Sequence, residues 1–167
     1  VNNVTTRRNV DQLGRVFEVE HADGSTTKTE VFWCENLGEI EQCSETSVFY
    51  VQTTTRCKVV LRTFYDILGR VVRSTKPTTD SSTQNIVQDV VYDERGLLAR
   101  RSEPYFDGES VLWTRYKYDV LRRVIETTMP SNVRITNGYR GLHVESRYWN
   151  TSYVAQRTSD VRGKLVR

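Results

Sequence analysis

The octapeptide YDILGRVV at residues 65–72 returns with small changes along most of the chain, and this recurrence limits the possible folds more than any other feature. It reappears as YDERGLLA at 92–99 and YDVLRRVI at 118–125, and in weaker form at 10–17, 34–41, 137–144 and 159–166. The glycine column falls at Gly14, Gly38, Gly69, Gly96, Arg122, Gly141 and Gly163, with steps of 24, 31, 27, 26, 19 and 22 residues. A fixed period of this size means a repeat architecture in which each unit is one supersecondary element. The three best copies also share a proline eight residues after the column, at Pro77, Pro104 and Pro130.

Each part of the unit has a mechanical reading. An Asp that opens a turn accepts hydrogen bonds from backbone N–H groups just ahead of it, and Gly three residues later supplies a positive φ. Asp-x-x-Gly therefore predicts a hairpin turn, type I closed by a glycine bulge. The flanking segments VVLRTFY and RVVRSTK are short and rich in β-branched and aromatic residues, and a proline at the strand end limits pairing. Asp23-Gly24 and Asp107-Gly108 supply a second hairpin turn between copies. The expectation is an all-β antiparallel hairpin meander of about seven repeats. At Arg122 a left-handed backbone would cost roughly 1 kcal/mol relative to glycine.

Composition agrees. Valine occurs 23 times and threonine 20 times in 167 residues, alanine only three times, so β-branched residues dominate and the best helix former is scarce. The length fits one region, 1–167, and the start at Val1 points to a piece of a longer chain. No run of 18 apolar residues occurs and no leader pattern opens the chain. The net charge of +3 is too small to imply nucleic acid, yet it is uneven: residues 11–50 balance at −7 and residues 111–167 at +7.

Cys34, Cys43 and Cys57 match no zinc spacing. Buried thiols in strands are the first expectation, and a Cys34–Cys43 disulfide across a hairpin is the second. In SVLWTRYKYD, alternation places Leu112, Thr114, Tyr116 and Tyr118 on one face, and Trp113, Arg115 and Lys117 on the other. Sequons at Asn3 and Asn150 would mark surface loops in a secretory eukaryote.

A tandem of Y-D-x-x-G-R-[VL]-[VL] units of this period resembles the YD repeats of RHS-repeat proteins, which include bacterial RHS toxins, Tc-toxin B and C components and teneurins. The resemblance is strongest over residues 65–130 and falls on Tyr65, Asp66, Gly69 and Arg70, on Tyr92, Asp93 and Gly96, and on Tyr118, Asp119 and Arg123. In that family these positions are architectural. The resemblance implies that the hairpins form a strip or partial spiral shell, a β-shell that houses or presents a C-terminal toxin domain; it also implies a secreted or cell-surface location and the rest of the same polypeptide as partner. It stops short of the family's self-cleaving core, since no DPxGL motif occurs.

Three classes of function follow. An encapsulating or scaffolding segment is the first, with self-association through unpaired edges. A carbohydrate- or cell-surface-binding module is the second, with Trp113, Trp149 and Arg115 as candidate glycan contacts, joined by Tyr148, Tyr153, Arg147 and Arg157; aromatic cross-strand pairing is the plainer explanation of such rings. An enzyme is the third, and the sequence argues against it: His21 and His143 are the only histidines, His21 lies in a turn, and no catalytic, phosphate-binding or metal motif accompanies them. No cofactor, nucleic acid or membrane span is expected.

Overall fold

A computed structural model describes residues 5–34, 43–56, 59–78, 84–149, 152–159 and 164–165. The chain is all-β. The described residues form fourteen strands: β1 (Arg7–Val10), β2 (Val16–Glu20), β3 (Thr26–Trp33), β4 (Phe49–Thr55), β5 (Val60–Tyr65), β6 (Val71–Pro77), β7 (Asn85–Tyr92), β8 (Leu98–Ser102), β9 (Tyr105–Phe106), β10 (Trp113–Tyr118), β11 (Val124–Thr128), β12 (Arg134–Arg140), β13 (His143–Tyr148) and β14 (Val154–Thr158). Every pairing is antiparallel, and strand order follows chain order except for β9, which pairs with β7. The chain divides into a first unit, residues 1–89 with 104–109, and a second, residues 90–103 with 110–167.

One turn geometry explains how the chain reverses. In it, the first residue's N–H donates to the carbonyl of the fifth and its own carbonyl accepts from the fourth, which has a positive φ. It occurs at Asp11, His21, Asp66, Asp93, Asp119 and Met129, with φ at the fourth position of 77° (Gly14), 74° (Gly24), 73° (Gly69), 76° (Gly96), 62° (Arg122) and 61° (Asn132). Register shifts at Asn9/Val10, Phe64/Tyr65, Val91/Tyr92 and Lys117/Tyr118 mark the bulge just ahead of each Asp. The type I turn with a bulge is thus found at four of the repeat's copies, Arg122 included. We expect Arg122→Gly to raise the melting temperature by roughly 2–4 °C, about 1 kcal/mol in a chain of this size; a clear fall in a thermal melt would remove the left-handed assignment.

Other features depart from the repeat as read from sequence. Gly141 occupies a two-residue turn between Arg140 and His143, with a φ of 58°, while Asn137 lies inside β12. The glycine there opens a shorter hairpin that has no anchoring carboxylate. Gly38 and Gly163 lie outside the described residues. The prolines also differ in role: Pro77 closes β6 opposite Asn85, Pro104 lies between β8 and β9, and Pro130 follows Met129 inside a turn. Asp107-Gly108 forms a turn, with Glu109 N–H donating to the Phe106 carbonyl. It joins no neighbouring strands, however, because β9 turns back onto β7 while β10 pairs with β8.

In the first unit, cross-strand register builds aromatic stacks on both faces. Phe32, Tyr50 and Phe64 follow one another across β3, β4 and β5 with ring centroids 5.0 and 5.1 Å apart, and Trp33, Phe49 and Tyr65 do the same on the opposite face at 5.8 and 5.0 Å. Such directly opposed rings stabilise a sheet beyond their buried area. The next positions across from Phe64 are Arg73 and then Asp89. Arg73 Nε donates to Asp89 Oδ1 at 2.6 Å and the Tyr105 hydroxyl donates to Asp89 Oδ2 at 2.6 Å, tying β9 to β7. Among the described residues only Tyr50, Phe64, Val72 and Val87 are buried apolar side chains.

Cys34 and Cys43 form a disulfide with Cα atoms 6.0 Å apart, which overturns the buried-thiol expectation for this pair; Cys57 lies outside the described residues. We expect denatured, unreduced protein to titrate one thiol with a thiol reagent and reduced protein three, whereas three thiols without reductant would contradict the bridge.

Candidate functional site

The Asp of the repeat is the most heavily engaged polar group in each turn. Asp66 Oδ1 accepts from the Leu68 and Arg70 N–H groups, both at 2.9 Å, and Oδ2 accepts from Arg70 Nε at 2.8 Å and its terminal nitrogen at 2.7 Å. Asp119 with Leu121 and Arg123, and Asp11 with Leu13 and Arg15, repeat this arrangement. At Asp93 the arginine stands one place before the glycine instead of one after, and the contact loosens to 3.3–3.4 Å. The arginine after the glycine column is therefore a clamp on the carboxylate, a role that the sequence pattern left unassigned. The repeat tyrosines brace neighbouring strands: Tyr65 stacks on Phe49, and the Tyr118 hydroxyl donates to the Leu98 carbonyl at 2.9 Å.

These contacts lower the pKa values of the turn carboxyls. Burial acts most strongly on Asp66 and pushes its pKa upward, but hydrogen bonds from Arg70 and Leu68 outweigh it. Backbone donation from Arg15, Leu97 and Arg123 leads the lowering at Asp11, Asp93 and Asp119. A depressed carboxylate contributes stability that is present above its unfolded pKa, near 3.8, and is lost as pH falls through the folded value. We therefore expect a melting temperature that is flat from about pH 7 to pH 5 and falls below about pH 4 by circular dichroism; a melt unchanged down to about pH 3 would contradict the clamps.

Register places the candidate ligand contacts on the second unit's sheet. Arg115 faces Thr128, Lys117 faces Glu126, Glu126 faces Thr136 and Thr136 faces Arg147, so these side chains share one face with Trp113 and Arg134. The expected alternation of β10 holds from Trp113 to Tyr118, while Leu112 precedes the strand and is exposed. Trp113 lies under the Arg100 guanidinium, 4.3 Å from the ring centroid, and Trp149 near that of Arg134 at 5.9 Å. Arg115 and the Trp149 end of β13 are separated by three strand spacings, roughly 15 Å, so Trp113 and Trp149 do not share a site. Arg157 faces Val144 and belongs to the opposite face from Arg147.

Trp149 does have company. With Tyr148, Tyr153, Arg147 and Thr136 it lines a depression of about 330 Å³, Tyr148 and Tyr153 meet edge to face at 5.2 Å, and Trp149 and Tyr153 are exposed. Beside it lies a more polar depression along β12, β13 and β14. Glu145 accepts from Arg147 Nε at 2.5 Å and from Gln156 at 3.1 Å, and these two bonds hold its carboxyl below the usual range. His143 Nδ1 contacts Thr158 Oγ1 at 2.9 Å, and in the first unit the exposed His21 contacts Thr27 Oγ1 at 3.1 Å.

Among the described residues no three His, Cys, Asp or Glu side chains are grouped to hold a metal, and no helix is long and apolar enough to cross a membrane. No family model matches the chain, and no curated protein is similar enough to it to count as a relative.

Proposed function

We propose that the chain is a structural segment of an RHS-type polypeptide, part of a β-shell that houses or presents a C-terminal toxin domain. The observation that carries this reading is the recurrence of the clamped turn in a sheet with only four buried apolar side chains among the described residues. Units that cannot bury their own apolar surface complete it against neighbours. The turn tips support the same reading: Leu13, Ile67, Leu68, Val120 and Leu121 are 67–93 % exposed, an arrangement suited to coverage by more of the polypeptide. The reading assigns the chain no reaction and no cofactor. The Cys34–Cys43 bridge fits a secreted or cell-surface location, where disulfides persist.

An isolated segment of this kind retains its edges, and its acidic early and basic late stretches attract one another between copies. Sedimentation velocity is expected to show self-association that weakens with added salt. A clean monomer at low and high salt would count against the reading. A second reading, a carbohydrate- or cell-surface-binding module, is favoured by the exposed Trp149–Tyr153 depression. Its test is a glycan array, with hits lost on Trp149→Ala; an array without hits would dismiss it.

A further inference from the structure

Gly138 stands in the middle of β12, directly opposite Glu145 on β13. Its φ lies outside the left-handed region, and a Cβ placed on it meets nothing within 4 Å. Neither backbone conformation nor crowding requires glycine here. A glycine inside a strand weakens it, and often marks close approach of a ligand or another backbone. What the missing side chain does leave is room.

A depression of about 640 Å³ opens over Gly138. Arg140 and His143 form one rung of its wall, Glu145 and Gln156 stand level with the glycine, and Thr136 and Arg147 form the next rung. Successive rungs are roughly 7 Å apart, about the span of one sugar ring. Arg147 is engaged by Glu145 at close range, whereas Arg140 makes no salt bridge within 4 Å among the described residues and feels the Glu145 charge only from farther off. The depression shares Thr136 and Arg147 with the one that carries Trp149, so a polar floor and an exposed aromatic plate adjoin on one face.

We propose that the Gly138 depression binds an acidic saccharide, a ring carrying a carboxylate or sulfate. The anionic group sits against Arg140; Glu145, Gln156 and Thr136 exchange hydrogen bonds with ring hydroxyls; an adjoining ring stacks on Trp149. A cation held in no close salt bridge, beside fixed donors and acceptors, selects an oxyanion on a hydroxylated frame, and the aromatic plate adds apolar contact. This inference rests on the carbohydrate reading and adds to it the class of ligand and the place where it binds.

Isothermal titration of the whole chain with a sulfated uronate disaccharide, its desulfated carboxyl-reduced counterpart and sodium sulfate separates the cases. The acidic disaccharide is expected to bind roughly tenfold or more tightly than the neutral one, and sodium sulfate more weakly than either. Gly138→Val fills the depression with a residue favoured in strands, so it should abolish binding while leaving the melting temperature unchanged or higher. Arg140→Gln should bring the acidic disaccharide down to the neutral one. Equal binding of acidic and neutral disaccharides, sulfate as tight as the disaccharide, or full binding by Gly138→Val would each overturn the inference and leave the carbohydrate reading standing. No binding of any saccharide, here or on the array, would overturn both.

Discussion

Asp89→Ala is expected to lower the melting temperature by roughly 10 °C, since breaking a part-buried ion pair costs about 3–4 kcal/mol and each kcal/mol moves a chain of this size by 2–4 °C. The carboxylate collects charge-assisted bonds from Arg73 at 2.6 and 3.1 Å and a hydroxyl bond from Tyr105 at 2.6 Å. The two ionic side chains are only 21 % and 13 % exposed, so solvent offers little replacement. Hydrogen bonding to Asp89 leads the rise of the Arg73 pKa, while burial first, and the same carboxylate next, pushes the Tyr105 hydroxyl up to about 12. Tyr105→Phe, which removes one bond and leaves the ion pair, should cost about 1–2 kcal/mol. The double mutant should be less destabilised than the sum, because both changes remove the same contact. Thermal melts of the three variants check this, and an Asp89→Ala melt within a degree of the parent would contradict it. The Tyr105 proton adds a signature in base. A raised folded pKa contributes stability that is present below the unfolded value of 10.0 and is lost as pH climbs toward 12.

The second large effect belongs to the turns. Asp66→Ala removes an acceptor for two backbone N–H groups and an arginine at a residue only 7 % exposed, and should cost about 3 kcal/mol. The same turn built in wetter surroundings should matter less. The carboxylate side chain is 10 % exposed at Asp66, 18 % at Asp119 and 28 % at both Asp93 and Asp11, while its arginine partner rises from 31 % to 40 %, 49 % and 64 %. Alanine substitutions should therefore rank Asp66 first, Asp119 second and the other two last in denaturant titrations. Equal losses at all four would mean that burial does not set the strength of the clamp.

Legibility from sequence followed the range of the interaction. Turns built by an Asp and a glycine three residues later are local, and four stand where the spacing placed them; even the arginine in the glycine column adopts the expected backbone. The turn at His21 carries the Asp23-Gly24 pair that marks a hairpin in the sequence, whereas the turn at Met129 shares the geometry with neither Asp nor glycine, so no motif revealed this second one. Asn132, a residue tolerant of positive φ, was the available signal at the second of these. The fold-back of β9 depends on Tyr105 reaching Asp89, sixteen residues away, which no local pattern encodes. Pairing of Cys34 with Cys43 was one of two readings, because spacing does not determine whether thiols meet. At the candidate site, alternation grouped Trp113 with Arg115 correctly, but only cross-strand register separates Trp113 from Trp149 and turns Arg157 away from Arg147. Gly138 passed as part of a weak repeat copy, and its place over an open depression emerged only from the paired strands.

Carboxylate-clamped turns are the recurring element of this sheet. Residue-by-residue amide hydrogen exchange near neutral pH tests it most directly. Leu68, Arg70, Leu121 and Arg123, which donate to Asp66 and Asp119, are expected to exchange far more slowly than ordinary turn amides, and Asp66→Ala should release Leu68 and Arg70 while leaving Leu121 and Arg123 protected. Free exchange of all four amides in the parent chain, with the flanking strands protected, would contradict it.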